Sequence, residues 1–313
     1  MAWWCQVSPL HQALAGYLAI RRSLGYKLAR PEKLLGQFIT YLEDIGAATV
    51  TTEHALAWAT LPAGDASWHA LRLSAARGFA TYLRTIDPRA EVPPADLIPW
   101  RPRRATPYLY SDADISALIA VAAGLRFPLR TATYQTLIGL LAVTGMRVGE
   151  AIRLDRADLD SVLGVLTVRD SKFGKSRMVP LHPTAVAALR GYLRLRDRLH
   201  PHPSGPAVFI SPAGTRLLYC NVHATFQQLA RRAGLQSRSA SCRPRIHDLR
   251  HSFAVRSLLD AYAAGQDGQA RLTLLSTYLG HADPAATYWY LSAAPELLAL
   301  AGQRLEDHLQ ERP

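Results

Sequence analysis

Two short boxes hold most of the reactive side chains of this 313-residue chain. The first is Arg245-Ile246-His247-Asp248-Leu249-Arg250-His251-Ser252-Phe253-Ala254. On a helix, His247 and Arg250 stand at i and i+3, on one face. Leu249, Phe253 and Leu258 supply an apolar side. An imidazole and a guanidinium aimed at one point suit a phosphoryl site, where charge grows on non-bridging oxygens. The second box runs from Leu279-Gly280-His281 to Thr287-Tyr288-Trp289-Tyr290-Leu291. Gly280 can end one helix in the left-handed conformation. Asp283 can cap the next, with Pro284 at its first position. His281 then falls in the junction, and Tyr290 follows nine residues on. A phenol ionises near pH 10, and neighbouring cations lower the cost of the phenolate. A phenolate can attack phosphorus and form a covalent intermediate. His247, His251 and Cys242 also invite a metal reading. Zinc would want a fourth ligand and tighter cysteine spacing, so no metal site is expected.

Two further segments carry cations at turns. Thr144-Gly145-Met146-Arg147-Val148-Gly149-Glu150 ends one helix and begins another. Gly145 permits the tight turn. Arg147 then stands near a helix N-terminus, where backbone N–H groups favour anions, and Glu150 can steady the guanidinium from one turn on. The hairpin Asp170-Ser171-Lys172-Phe173-Gly174-Lys175-Ser176-Arg177 presents two lysines at its tip. A lysine there can give its proton to a departing alkoxide. Taken alone, the first segment reads better as a structural Arg–Glu pair and the second as an ordinary basic turn.

Charge favours a polyanionic partner. Lys and Arg number 36 against 24 Asp and Glu, a net charge of +12. Nucleic acid suits that balance better than a membrane. Only Lys27, Lys33, Lys172 and Lys175 are lysines; the rest is arginine, whose planar fork grips phosphate. With 49% hydrophobic residues the chain can bury sizeable cores, which excludes a disordered or fibrous protein. It has no run of eighteen apolar residues, so no membrane span is expected. The N-terminus lacks the basic head and apolar stretch of a secretory signal. Cys5, Cys220 and Cys242 are too scattered for a disulfide framework. A cytoplasmic setting is therefore expected.

These groups need elements to position them. Four prolines and three arginines in Val92–Arg104 read as an extended linker. The domain reading is a helical unit over 1–92, a Pro/Arg-rich linker over 93–105 and a second domain over 106–313. The first unit shows four helical patterns. One carries Leu14, Tyr17 and Leu18; one carries Leu34, Leu35, Phe38, Ile39 and Leu42. Thr52 can cap a short helix bearing Leu56. A last helix from about Ser67 presents Trp68, Leu71, Ala75, Phe79 and Leu83. In the second, Ser111 can cap a helix through Ala123, and another runs from about Leu129 to Val143. Leu163–Arg169 and Arg177–Leu181 have strand character around the basic turn. Pro183 opens a helix through Leu199, Ala207–Ser211 is a short apolar run, and the remainder looks helical. The fold class expected is mainly α with a small antiparallel sheet.

The order of these pieces resembles one family. Arg147, Lys172, His247 with Arg250, His281 and Tyr290 are similar to the active-site set of the tyrosine recombinases of phage-integrase type. The Thr-Gly-Met-Arg-Val-Gly-Glu, His-Asp-Leu-Arg-His and Leu-Gly-His boxes carry the resemblance, which covers about residues 105–295. It implies a core-binding helical bundle followed by a catalytic domain, with no arm-binding domain ahead of them. It implies a site-specific recombinase that cuts and rejoins double-stranded DNA through a 3′-phosphotyrosine, without metal, ATP or other cofactor. Tyr290 would be the nucleophile, Arg147 and Arg250 the clamp on non-bridging oxygens, and Lys172 the acid. His247 would assist proton transfer and His281 would hydrogen-bond the phosphate. Lys175 and Tyr288 are the alternatives. The distance to Val179-Pro180-Leu181 favours Lys172, and spacing from His281 favours Tyr290. The Thr-Tyr-Trp-Tyr-Leu ending is similar to integrases of transposons and other mobile elements. The tail Pro295–Leu309 reads as an amphipathic helix, which the resemblance would dock on a neighbouring protomer in a tetrameric synapse on DNA. A type IB-like topoisomerase and a catalytically inactive DNA-binding protein are the rival functions.

Overall fold

Helix caps written into the sequence set where most elements begin. The computed structural model describes residues 8–99, 105–170 and 176–280, with Gly302 and Glu306. It divides into two compact units, residues 1–104 and 105–313. The architecture is mostly helical with one small antiparallel sheet.

The first unit holds helices α1 (Pro9–Ser23), α2 (Ala29–Asp44), α3 (Thr52–Thr60) and α4 (Ala66–Leu83). Side chains of Ser8, Thr51 and Asp65 accept backbone N–H bonds at the starts of α1, α3 and α4, satisfying donors that a helix leaves orphaned. The cap of α3 is thus Thr51 rather than the expected Thr52. Its buried face is Ala55, Trp58 and Ala59, not Leu56. On α4 the buried stripe is Arg72, Leu73, Ala76, Phe79, Ala80 and Leu83, and Leu71 faces solvent. A buried arginine, Arg72, shares the face expected to be apolar. Arg72 stacks its guanidinium 3.7 Å from the Trp58 ring centre and donates to the Trp58 carbonyl at 2.8 Å. The charge is desolvated, but its π and hydrogen-bond partners are both present. The start of the Pro/Arg-rich segment is anchored: Val92 and Ile98 pack on this core.

The second unit begins with α5 (Asp112–Ala122) and α6 (Pro128–Thr144). Ser111 and Asp114 form a reciprocal capping box at the start of α5. Helix α6 ends at Gly145, whose φ of 58° is the left-handed conformation. Next come the one-and-a-half-turn α7 (Val148–Arg153) and a short 3-10 turn. The strands β1 (Leu159–Asp160), β2 (Val165–Val168) and β3 (Arg177–Pro180) follow. They pair antiparallel in that order, with Val165 opposite Pro180 and Val168 opposite Arg177. The two-residue β1 is too short for a sequence pattern to show. At the hairpin's base the Asp170 N–H donates to Ser176 Oγ at 3.3 Å.

Helix α8 (Pro183–Leu199) starts and stops where the sequence reading places it. In the Ala207–Ser211 run, Ala207, Val208, Phe209 and Ile210 are buried core but not a strand of the sheet; the run makes isolated bridges to Asp155 and Arg216. Helices α9 (Tyr219–Arg232), α10 (Asp248–Ala263) and α11 (Gly268–Leu279) complete the described fold. Helix α10 packs against α6 and α11. That places three element ends in one neighbourhood: the C-termini of α6 and α11 and the N-terminus of α10.

Candidate active site

Helix ends carry unmet backbone dipoles, and this site is assembled from them. The last carbonyls of a helix have no intrahelical partner and bear partial negative charge. Arg250, on the first turns of α10 and 2% exposed, lies between two such ends. Its Nη1 donates to the Gly145 carbonyl at 2.9 Å and its Nη2 to the Leu279 carbonyl at 2.7 Å. The buried guanidinium therefore joins the C-termini of α6 and α11. Both ends turn on a left-handed glycine, Gly145 and Gly280 (φ 67°). At Gly145 a Cβ would come within 2.4 Å of the Phe253 ring, so no other residue fits that turn.

Arg147 reaches the same place from the other side of the turn. It is the N-cap of α7, as the sequence suggested. Its Nη1 bonds Glu150 Oε1 at 2.8 Å, and its backbone N–H bonds Glu150 Oε2 at 2.9 Å. Its Nη2 donates to the Gly280 carbonyl at 3.1 Å. Arg147 and Arg250 thus grip adjacent carbonyls of one peptide stretch, Leu279-Gly280, immediately before His281.

His247 caps the start of α10, one residue outside the helix. It is solvent-accessible on one side, and its ring meets that of His251 edge-on, centres 5.0 Å apart. Partial desolvation, then the guanidinium charges of Arg250, Arg147 and Arg245, hold its imidazole down at about 4. At neutral pH it is uncharged and able to accept a proton. The same positive field that opposes a proton on His247 favours phosphate oxygens and a phenolate. Beneath it, Arg245 forks onto the buried Asp248 with two bonds of 2.9 Å, and the Tyr110 hydroxyl donates to the Arg245 carbonyl at 3.0 Å. Burial pushes the Asp248 carboxyl up, and the Arg245 bonds oppose that shift.

Of the six residues the sequence singled out, Arg147, His247 and Arg250 are brought together. Lys172, His281 and Tyr290 lie outside the described residues, as do the alternatives Lys175 and Tyr288 and the tail 295–309 apart from Gly302 and Glu306. Among the described residues no group of three His, Cys, Asp or Glu side chains could hold a metal. Cys242, one ligand of the metal reading, is buried with its thiol on the Pro107 carbonyl at 3.5 Å. Sequence reasoning missed Arg177 and Arg245. Arg245 had a local signal, three residues ahead of Asp248. Arg177 had none, because its partners Glu150 and Tyr278 are 27 and 101 residues away.

The sequence profile of the phage integrase family matches residues 111–296, more than half of the chain. The chain belongs to the phage integrase family. Its members are tyrosine recombinases, enzymes that cleave and rejoin DNA strands. A protein of Sinorhizobium fredii named as an integrase/recombinase, y4rB, is 44% identical over 313 residues, spanning 98% of this chain and 100% of that one. The tyrosine recombinase XerD of Mycobacterium leprae is 34% identical over 161 residues, spanning 50% of this chain and 46% of its own. In fold, the chain is similar to a Tn1549 transposon integrase solved with transposon right-end DNA. The TM-score is 0.61 at 17% identity, over 94% of this chain and 99% of that one.

The depressed imidazole gives a direct test. In the DNA-free protein, an NMR titration of His247 should show a midpoint near 4, well below the ordinary value of about 6.5. Between those two pH values the unfolded chain binds a proton that the folded chain refuses, so stability should fall as pH drops across that window. His247→Gln should flatten the slope. A midpoint at or above the ordinary histidine value contradicts the cationic surroundings described here.

Proposed function

We propose that this integrase-family enzyme recombines DNA at specific sites with Tyr290 as nucleophile and Arg147, Lys172, His247, Arg250 and His281 around the scissile phosphate. The observation that carries the proposal is the convergence of Arg147 and Arg250 on the peptide carbonyls just before His281. Two guanidiniums held at one point form a preorganised anion site, which costs no reorganisation when charge develops. His281, which follows those carbonyls, is nine residues ahead of Tyr290 in the chain.

The chemistry follows from those groups. The Tyr290 phenol loses its proton, with neutral His247 able to take part in the transfer, and its oxygen attacks phosphorus. The Tyr290 O–P bond forms as the P–O5′ bond breaks. The departing 5′ oxygen takes a proton from the Lys172 ammonium and leaves as a hydroxyl. Arg147 and Arg250 hold the non-bridging oxygens, and His281 donates a further hydrogen bond. A 5′ hydroxyl from a partner duplex then reverses the step, so the phosphoester bond energy is conserved without a nucleotide cofactor.

The helical unit over 1–92 is proposed to grip the duplex beside the cleavage point. A cleft of about 420 Å³ on it is lined by Arg21, Arg30 and Arg77 with no carboxylate among its residues. The 93–105 segment would link this unit to the catalytic domain of 106–313. The assembly proposed is a tetrameric synapse on two DNA sites, acting in the cytoplasm, where a mobile element's DNA would meet it. Among the described residues no helix is long and apolar enough to cross a membrane.

The nucleophile is tested by incubation with nicked target DNA and denaturing electrophoresis. The wild type should form a protease-sensitive adduct, Tyr290→Phe should abolish it, and Tyr288→Phe should keep it. The reverse pattern moves the nucleophile to Tyr288. The assembly is tested by deleting the residues after Ala294. Recombination should then fall further than single-site DNA binding, and equal losses would show that the tail packs on its own chain.

A further inference from the structure

A third arginine ties the same centre together from the sheet. Arg177 is the first residue of β3, paired with Val168 across the hairpin. It is mostly buried, beside the nearly inaccessible Glu150. Its fork lies on that carboxylate: Nη1 to Oε1 at 3.1 Å and Nη2 to Oε2 at 2.8 Å. Its Nε donates to the Tyr278 carbonyl at 2.8 Å. Glu150 is the carboxylate that also holds Arg147. One side chain therefore joins three segments that are distant in sequence: the return strand of the hairpin, the start of α7, and the end of α11. A Cβ at Gly280 would stand 3.1 Å from Arg177 Nη1, so this packing also constrains the residue before His281.

We infer that Arg177 is a positioning residue for strand cleavage, locking the base of the Lys172 hairpin to Glu150 and to the α11 end. The inference rests on the functional reading above. A bidentate guanidinium–carboxylate contact has a fixed geometry, unlike a lysine's point charge. Position matters most for the hairpin, because proton donation to a leaving oxygen needs hydrogen-bond reach. Lys172 precedes Arg177 by only five residues in the chain, so the anchorage of β3 is proposed to set the reach of the lysine.

The leaving group separates positioning of the acid from general damage. Replacing the bridging 5′ oxygen of the scissile phosphate with sulfur gives a thiolate leaving group. A thiol ionises near pH 8.5 and departs without a proton donor. Single-turnover adduct formation is measured on oxygen and sulfur suicide duplexes for wild type, Arg177→Met and Arg177→Lys. The expected result on oxygen DNA is a loss of about 100-fold for Arg177→Met, the scale of a lost general acid. On sulfur DNA the same variant should return to within about tenfold of wild type. Arg177→Lys keeps a cation beside Glu150 and so guards against misfolding of the methionine variant; it should show the same pattern to a smaller degree. Equal losses on both duplexes in both variants, or no loss in either, would overturn the inference. If the wild type forms no adduct with either duplex, the recombinase reading itself fails, and this role for Arg177 fails with it.

Discussion

Arginine fingers on helix-end carbonyls hold this catalytic unit together where it matters. Leu279 and Gly280 close α11, and their carbonyls have no partners within the helix. Arg250 takes the first, Arg147 the second, and Arg177 takes that of Tyr278 just before them. Three cations brought to a helix C-terminus interact favourably with its dipole. They also fix the path of the chain as it leaves α11 toward His281. Truncating any one leaves a backbone carbonyl without this donor, which costs more than the bond itself contributes.

Such a cluster of like charges resists folding unless its field is offset. Glu150 is the principal offset, with Arg147 and Arg177 on its two oxygens. The carbonyl ends of α6 and α11 contribute dipoles. Two guanidiniums on one carboxylate leave the local charge positive, and after burial those cationic surroundings also hold the His247 imidazole down. That residue of unbalanced charge makes the site chemically useful. A phosphodiester entering it would supply the missing negative charge and receive donors already in place. Under the proposed function, stability and catalysis draw on the same guanidiniums.

Local signals were legible in the sequence, and long-range ones were not. Pro183 and Leu199 bound α8 as expected because a proline at the first turn and an amphipathic run are local features. Ser111 and Asp114 announced α5 for the same reason. The Arg147–Glu150 contact was readable because both residues lie within one turn. Arg72 was not readable as core, since its partner Trp58 sits on another helix. Arg177 escaped notice because its role exists only after β3, α7 and α11 meet. The two-residue β1 carries no period at all. The fold class could be read directly, and the sequence singled out Arg147 and Arg250, which the structure brings onto adjacent carbonyls; the residue that ties Arg147 to the sheet required the packed structure.

The central claim is that Arg147 and Arg250 work as one unit through a shared chain end and a shared anion site. A double-mutant cycle on single-turnover adduct formation tests it most directly, using Arg147→Lys and Arg250→Lys to keep charge while removing the fork. Each single change should slow the reaction about 100-fold, the scale of a lost charge-stabilising donor. The double variant should be little slower than either one, because groups that act together are not additive. Rate losses that multiply in full would show two independent arginines and would contradict this account.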